Sequence, residues 1–133
     1  QEKIIPAVNS GKIVICQRFI DSSIAYQGEA RGLGIDNIMA INNFALNGIM
    51  PDMTLFFDLP PEKGILRKKN ERLLDRLEAE KIDFHKKVYE GYKKLCRKYP
   101  ERIKVIDADD SMENIHNKVV EAVDILLKGK YYV

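Results

Sequence analysis

Three short runs of β-branched and apolar residues, separated by segments of helical periodicity, dominate the pattern of this chain. The runs cover residues 12–16, 53–59 and 102–107, and each predicts a buried strand. The other segments predict helices at residues 34–46, from Pro60 onward, at 83–99 and after Asp110. Strands that alternate with helices form parallel sheets with right-handed crossovers. The sequence therefore predicts an α/β fold, a parallel sheet with flanking helices.

The length and net charge of the chain limit the classes of protein to which it can belong. A chain of 133 residues forms one domain at most. The net charge of +2 is too small to indicate a nucleic-acid or membrane-surface protein, which would concentrate its basic residues on one face. No apolar run approaches the ~20 residues that span a bilayer. Cys16 and Cys96 lack metal-ligand spacing, so we expect packed, reduced thiols in a cytoplasmic protein, with Cys16 inside a buried strand.

A cluster of polar side chains directly follows the first predicted strand, in residues 17–28. Ligands of open α/β sheets bind beyond the carboxyl ends of the strands, so this cluster is placed to hold a small polar or anionic molecule. Arg18 has two interpretations from its position alone. It is either a fork of donors for a phosphate, or one half of a salt bridge to Asp21 or Asp58.

Ser23, Tyr26 and Gln27 belong to the helix predicted after this loop. Helical residues three and four apart share a face, so Ser23 is expected to align with both of the others. The amide of Gln27 offers a donor and an acceptor to a base edge. Taken singly, Ser23 is more often a helix cap and Tyr26 more often a core residue.

The order of these residues resembles the signature of the thymidylate kinase family. The matching run is Arg18-Phe-Ile-Asp-Ser-Ser-Ile-Ala-Tyr-Gln-Gly28, and residues 75–78 and 83–85 match two further family patterns, Asp-Arg-x-Glu and Asp-Phe-His. The resemblance runs from Ile4 to about Leu127 and covers the C-terminal two-thirds of the family. It implies a P-loop nucleoside monophosphate kinase-like fold that lacks its N-terminal strands, with residues 1–133 as a single partial domain.

The resemblance also implies an activity. Thymidylate kinases transfer a phosphoryl group from ATP to thymidine monophosphate, giving the diphosphate for dTTP synthesis, with Mg²⁺, as cytoplasmic homodimers without nucleic-acid or membrane partners. By residue match, Arg18 would hold the acceptor phosphate, Ser23 and Gln27 the base, and Tyr26 the sugar. By analogy with the family, the adenine would lie near residues 108–111.

Residues 67–78 form a dense segment of mixed charge. Opposite charges at i,i+4 are typical of a solvated helix face. The resemblance implies instead a lid of the bacterial type, whose cations close over the phosphates. Phosphoryl transfer is catalysed mainly by positioning and positive charge, so such a segment suits the reaction. The candidate catalytic residues, which the sequence does not rank, are Arg67, Lys69, Arg72 and Arg76.

Two features depart from the family pattern. Gln17 stands where the family has an aspartate near the magnesium, and a neutral amide adds no charge for a hard cation. We therefore assign no metal ligand in this sequence. No Gly-x-x-x-x-Gly-Lys-Ser/Thr run occurs in it to cradle the donor phosphates. We expect that the beginning of the domain is missing and that these residues alone are inactive.

Alternatives of other classes remain open at this point. One is a non-catalytic nucleotide-binding or interaction module derived from a kinase. The other is a nucleic-acid-binding protein that uses the basic segment, which is disfavoured because acids interleave with the bases and no aromatic platform accompanies them. The family topology adds an expectation about the sheet. Its first strand lies between its third and fourth, so the predicted strands at 12–16 and 53–59 would flank a gap.

Overall fold

The computed structural model of the chain describes residues 2–68 and 76–131, and leaves out the side chains of residues 68, 76–81 and 130–131. A single π-helix, Ile24–Ala30, interrupts the α-helices of this part of the chain. The other elements are α1 Ile4–Asn9, α2 Ile20–Ser23, α3 Ile35–Leu46, β1 Thr54–Asp58, α4 Pro61–Lys68, α5 Arg76–Lys98, β2 Ile103–Asp107 and α6 Met112–Tyr131.

The two strands pair in parallel, in a register that runs from Thr54 opposite Ile103 to Asp58 opposite Asp107. The chain reaches β2 from β1 through α4 and α5, which is the strand–helix–strand crossover expected of an α/β protein. This confirms the predicted fold class and the strands predicted at residues 53–59 and 102–107. The helix predicted at 83–99 begins earlier than expected, at Arg76.

The prediction of a buried strand at residues 12–16 is wrong. The segment has no regular secondary structure and forms no ladder, and Ile13 and Ile15 are 66% and 91% exposed. Cys16, placed in that strand by the sequence, is an exposed free thiol. A strand is held by hydrogen bonds to a neighbouring strand, and within the described residues the only such ladder joins β1 to β2. The β-branched composition of the run does not by itself replace that partner. The gap beside β1 stays a prediction.

The core lies where α2 and the π-helix pack against α5 and β1. Ile20, Ile24 and Leu95 are its most completely buried large side chains. Burying an aliphatic side chain of this size contributes about 1.5–3 kcal/mol. Phe56 of β1 stacks on Tyr92 of α5, with ring centroids 5.1 Å apart. These contacts fix the π-helix, which carries the candidate site, against the sheet.

Two glycines allow close approaches to the π-helix. A Cβ at Gly91 of α5 would lie 3.1 Å from Ala25 Cα and 3.0 Å from Glu29 Cβ. A Cβ at Gly28 would lie 3.1 Å from Ile35 Cα, at the start of α3. These distances are tighter than nine in ten real Cβ contacts, so the absence of a side chain lets both neighbouring helices pack closely against the π-helix.

None of the helices in the described part of the chain is both long enough and apolar enough to cross a bilayer.

Candidate functional site

The polar cluster predicted from the sequence lies on α2 and the π-helix, and Ser23, Tyr26 and Gln27 are all half-buried. The spacing differs from the expectation of a regular α-helix. The amide of Arg31 donates to Tyr26 O over 3.2 Å, an i→i−5 bond that places an extra residue in the turn. The three residues therefore do not all have the regular α-helical spacing on which the prediction was based, and their shared face stays a prediction. π-Turns occur often at functional sites, but periodicity in the sequence does not reveal them.

Arg18 lies over the aromatic ring of Tyr26. Its guanidinium carbon is 4.2 Å from the ring centroid, which is a cation–π contact. The residue is exposed, and its φ of 66° is uncommon outside glycine. The salt-bridge interpretation fails, because Asp21 and Asp58 both have other partners. No carboxylate of the described residues forms an ion pair with this guanidinium.

Asp21 is held by the strands. Its two carboxylate oxygens each accept a 2.7 Å hydrogen bond from the guanidinium of Arg102, and Thr54 donates to Oδ2 over 2.7 Å. The side chains of Asp21 and Arg102 are only 4% and 12% exposed. The hydrogen bonds to Asp21 raise the pKa of Arg102 further. The sequence offered Asp21 as a possible partner of Arg18, and Arg102 was not identified. Its position at the start of the strand predicted at 102–107 was the only available signal.

The residue after Asp21 is anchored as well. The hydroxyls of Ser22 and Tyr92 lie 2.6 Å apart. Burial raises the pKa of the Tyr92 phenol, and the hydrogen bond with Ser22 partly offsets that rise. Successive residues of α2 are thus tied to the sheet and to α5.

Tyr26 joins two of the matched sequence patterns. Phe84, from the Asp-Phe-His run on α5, meets its ring edge-on with centroids 5.9 Å apart. The ring therefore contacts both Arg18 and Phe84. His85 lies beside an apolar cavity of about 310 Å³ between β1, α4 and α5, which Phe56, Leu59 and Tyr89 also line.

A second polar group lies at the carboxyl end of β1. Asp58 accepts hydrogen bonds from Tyr89 over 2.5 Å and from Lys93 over 2.7 Å. Burial alone would raise the pKa of Asp58, but the two hydrogen bonds and the charge of Lys93 outweigh it and lower that pKa. The hydrogen bond to Asp58, together with burial, raises the pKa of Tyr89 to about 12. From the sequence, Asp58 was expected only as a possible partner of Arg18, and neither Tyr89 nor Lys93 was predicted to contact it.

Of the four lid candidates, the structure describes the side chain of Arg67 alone. Arg67 of α4 donates to Ala108 O over 3.0 Å and lies 3.7 Å from Asp109 Oδ1, in the loop after β2. Lys69 and Arg72 lie outside the described residues, and Arg76 begins α5 without a described side chain. The structure thus brings Arg67 to the loop predicted to lie near the adenine, and its described contacts do not include Arg18.

The described residues do not fit a magnesium site. No group of three or more histidine, cysteine, aspartate or glutamate side chains converges among them. Gln17 is exposed and neutral, and the carboxylates of Asp21 and Asp58 already have cationic partners.

Comparison with known proteins agrees with the sequence motifs. The family model for thymidylate kinase matches residues 1–119. A thymidylate kinase of Clostridium novyi (strain NT) is 58% identical, over 89% of this chain and 58% of its own length. One of Oceanobacillus iheyensis is 49% identical, over 97% of this chain and 58% of its own length. The chain thus spans less than two-thirds of these curated relatives. It belongs to the thymidylate kinase family.

Proposed function

We propose that this chain forms the acceptor-binding part of a thymidylate kinase, in which a phosphoryl group passes from ATP to thymidine monophosphate. The observation that carries the proposal is the guanidinium of Arg18, exposed, stacked on Tyr26 and without a carboxylate partner among the described residues. A guanidinium presents a fork of donors that matches a phosphate, and the ring beneath it restricts where the fork points.

The neighbouring residues suit the rest of the nucleotide. Tyr26 presents an aromatic surface to the sugar, and Ser23 and Gln27 offer hydroxyl and amide groups to the base. Asp21 and Ser22 are occupied by Arg102 and Tyr92, so they support the site without being available to a ligand.

The transfer itself requires groups beyond this cluster. We assign charge neutralisation at the transferred phosphate to the lid candidates Arg67, Lys69, Arg72 and Arg76, with ATP and Mg²⁺ as partners in the whole protein. The described residues supply no ligand set for the metal, so no step is assigned to it.

We also propose a cytoplasmic homodimer. Ile41 and Phe44 of α3 are 64% and 92% exposed, an apolar surface that a second copy would cover. The exposed thiol of Cys16 suits a reducing compartment.

Calorimetric titration of the chain with thymidine monophosphate and with thymidine tests the proposal. We expect clearly tighter binding of the phosphorylated ligand, and Arg18→Lys should remove most of that difference because an ammonium lacks the guanidinium fork. Arg31→Ala, at the exposed end of the π-helix, is the matched control that removes a nearby charge and should leave the difference intact. Gln27→Ala should weaken binding of both ligands by about 1–3 kcal/mol. Equal affinity for thymidine and its monophosphate would contradict the proposal.

A further inference from the structure

We infer that Arg102 is a positioning residue for the acceptor site, acting through Asp21 to hold Arg18 over Tyr26. The inference rests on the proposed function. It assigns to the site a residue that lies outside the matched motifs, directly before β2, and that touches neither Arg18 nor Tyr26 in the contacts described.

α2 is the uncapped first turn of a longer helical stretch. It has only four residues and continues directly into the π-helix, and its N-cap residue, Phe19, forms no capping hydrogen bond through its side chain. The first turn of a helix leaves backbone donors without intrahelical partners, so an uncapped end frays readily. The position of this end therefore depends on its tertiary contacts, which are the burial of Ile20, the hydroxyl contact of Ser22 and the ion pair of Asp21.

The ion pair of Asp21 and Arg102 holds the carboxylate in a fixed orientation against both strands. Arg102 binds Asp21 through two parallel 2.7 Å hydrogen bonds, and the same guanidinium donates to Thr54 Oγ1 over 3.1 Å. Thr54 in turn donates to Asp21. Thr54 begins β1 and its amide bonds to the carbonyl of Arg102, so the carboxylate is fixed to the two paired strands at once. A bidentate fork fixes orientation as well as distance.

The backbone conformation of Arg18 depends on this anchor, because Arg18 lies just before α2. Arg18 lies two residues before α2, in an exposed segment without regular secondary structure, and its φ of 66° is strained for a residue with a side chain. Such a conformation persists only where the surroundings determine it. When α2 loses its tie to the strands, the backbone at Arg18 relaxes to negative φ and its guanidinium leaves the ring of Tyr26.

The test separates positioning from simple stabilisation. Removing Arg102 alone leaves a buried carboxylate unpaired and destabilises the fold. The double variant Asp21→Asn, Arg102→Gln removes both charges, which for buried pairs is often neutral for stability. We expect its urea midpoint to lie near that of the parent, while its binding of thymidine monophosphate is ~10-fold weaker, the scale of a lost hydrogen bond to a charged group. Lys98→Ala, which removes the exposed ion pair with Asp36, is the control and should change neither.

A readout without ligand keeps this result distinct from the proposed function. In the NMR spectrum of the unliganded chain, the ring of Tyr26 should shift the side-chain protons of Arg18 upfield, and Tyr26→Leu calibrates that shift. We expect the double variant to lose the shift and Lys98→Ala to keep it. If the double variant does not fold, Arg102→Lys decides, because one ammonium cannot reproduce the fork and the shift should decrease. A variant without the fork that retains the full shift overturns the inference, whether or not the parent binds thymidine monophosphate.

Discussion

The contact between α5 and the π-helix leads to a sharp prediction for Gly91. An alanine there would put its Cβ 3.0 Å from Glu29 Cβ, 3.1 Å from Ala25 Cα and 3.2 Å from Ala25 O. Two of these atoms belong to backbone that is buried and cannot turn aside. Overpacking of this kind costs about 1–3 kcal/mol, and the higher helix propensity of alanine returns at most about 1 kcal/mol. We therefore expect Gly91→Ala to destabilise the chain by about 1–2 kcal/mol.

Gly64→Ala is the matched control, because Gly64 also lies inside a helix but a Cβ there would meet only Leu59 Cδ2 at 3.7 Å, an ordinary contact. It should gain roughly 0.5–1 kcal/mol from helix propensity alone. Urea unfolding followed by circular dichroism measures both variants against the parent, with the slope checked for two-state behaviour. A Gly91→Ala variant as stable as Gly64→Ala would show that the two helices do not approach each other as closely as described.

Three further predictions concern ionisation, exposure and activity. Folding raises the pKa of Tyr89 from 10.0 to about 12, so its contribution to stability is complete below pH 10 and is lost as the pH rises through 12; Asp58→Asn should move that pKa back toward 10.0, and an unchanged NMR titration of the ring would refute the assignment. Cys16 is exposed and burial raises the pKa of Cys96, so iodoacetamide should alkylate Cys16 first, and mass spectrometry showing the reverse order would place residues 12–16 in a buried strand after all. In a coupled assay, these 133 residues alone should not phosphorylate thymidine monophosphate, since the sequence contains no Gly-rich phosphate loop, and turnover would refute this.

The sequence predicted the parts of the fold that carry a local residue pattern, such as a β-branched run or helical periodicity. Within runs 53–59 and 102–107, the two strands pair with each other, although Phe57 and Val105 on them are about half exposed. Residues 12–16 have a similar composition but form no ladder. The composition of a run does not show whether a neighbouring strand is present to pair with it. The π-turn after Ser23 was not predicted, because a shift of one hydrogen bond leaves the spacing of apolar residues in the sequence almost unchanged.

The candidate site likewise contains residues that the sequence predicted and residues that it did not. Arg18 and Tyr26 were identified because both belong to the run that resembles the family signature, and the cation–π contact between them is local. The residues that support them were missed because each partner lies far along the chain: Arg102 for Asp21, and Tyr92 for Ser22. Charge and residue type show that Asp21 needs a partner, but several arginines and lysines could serve. Only the folded geometry selects one.

The ion pair of Asp21 and Arg102 has a consequence for the order of assembly. The carboxylate reaches Arg102 and Thr54 together only after β1 and β2 have paired through the long α4–α5 crossover, a non-local event with a large loop-closure cost. We therefore expect the pair to form late, after the folding transition state. Interactions that form late slow unfolding and leave the folding rate almost unchanged. Arg102 would thus set how long an assembled acceptor site persists before it opens, and have little influence on how quickly it first forms.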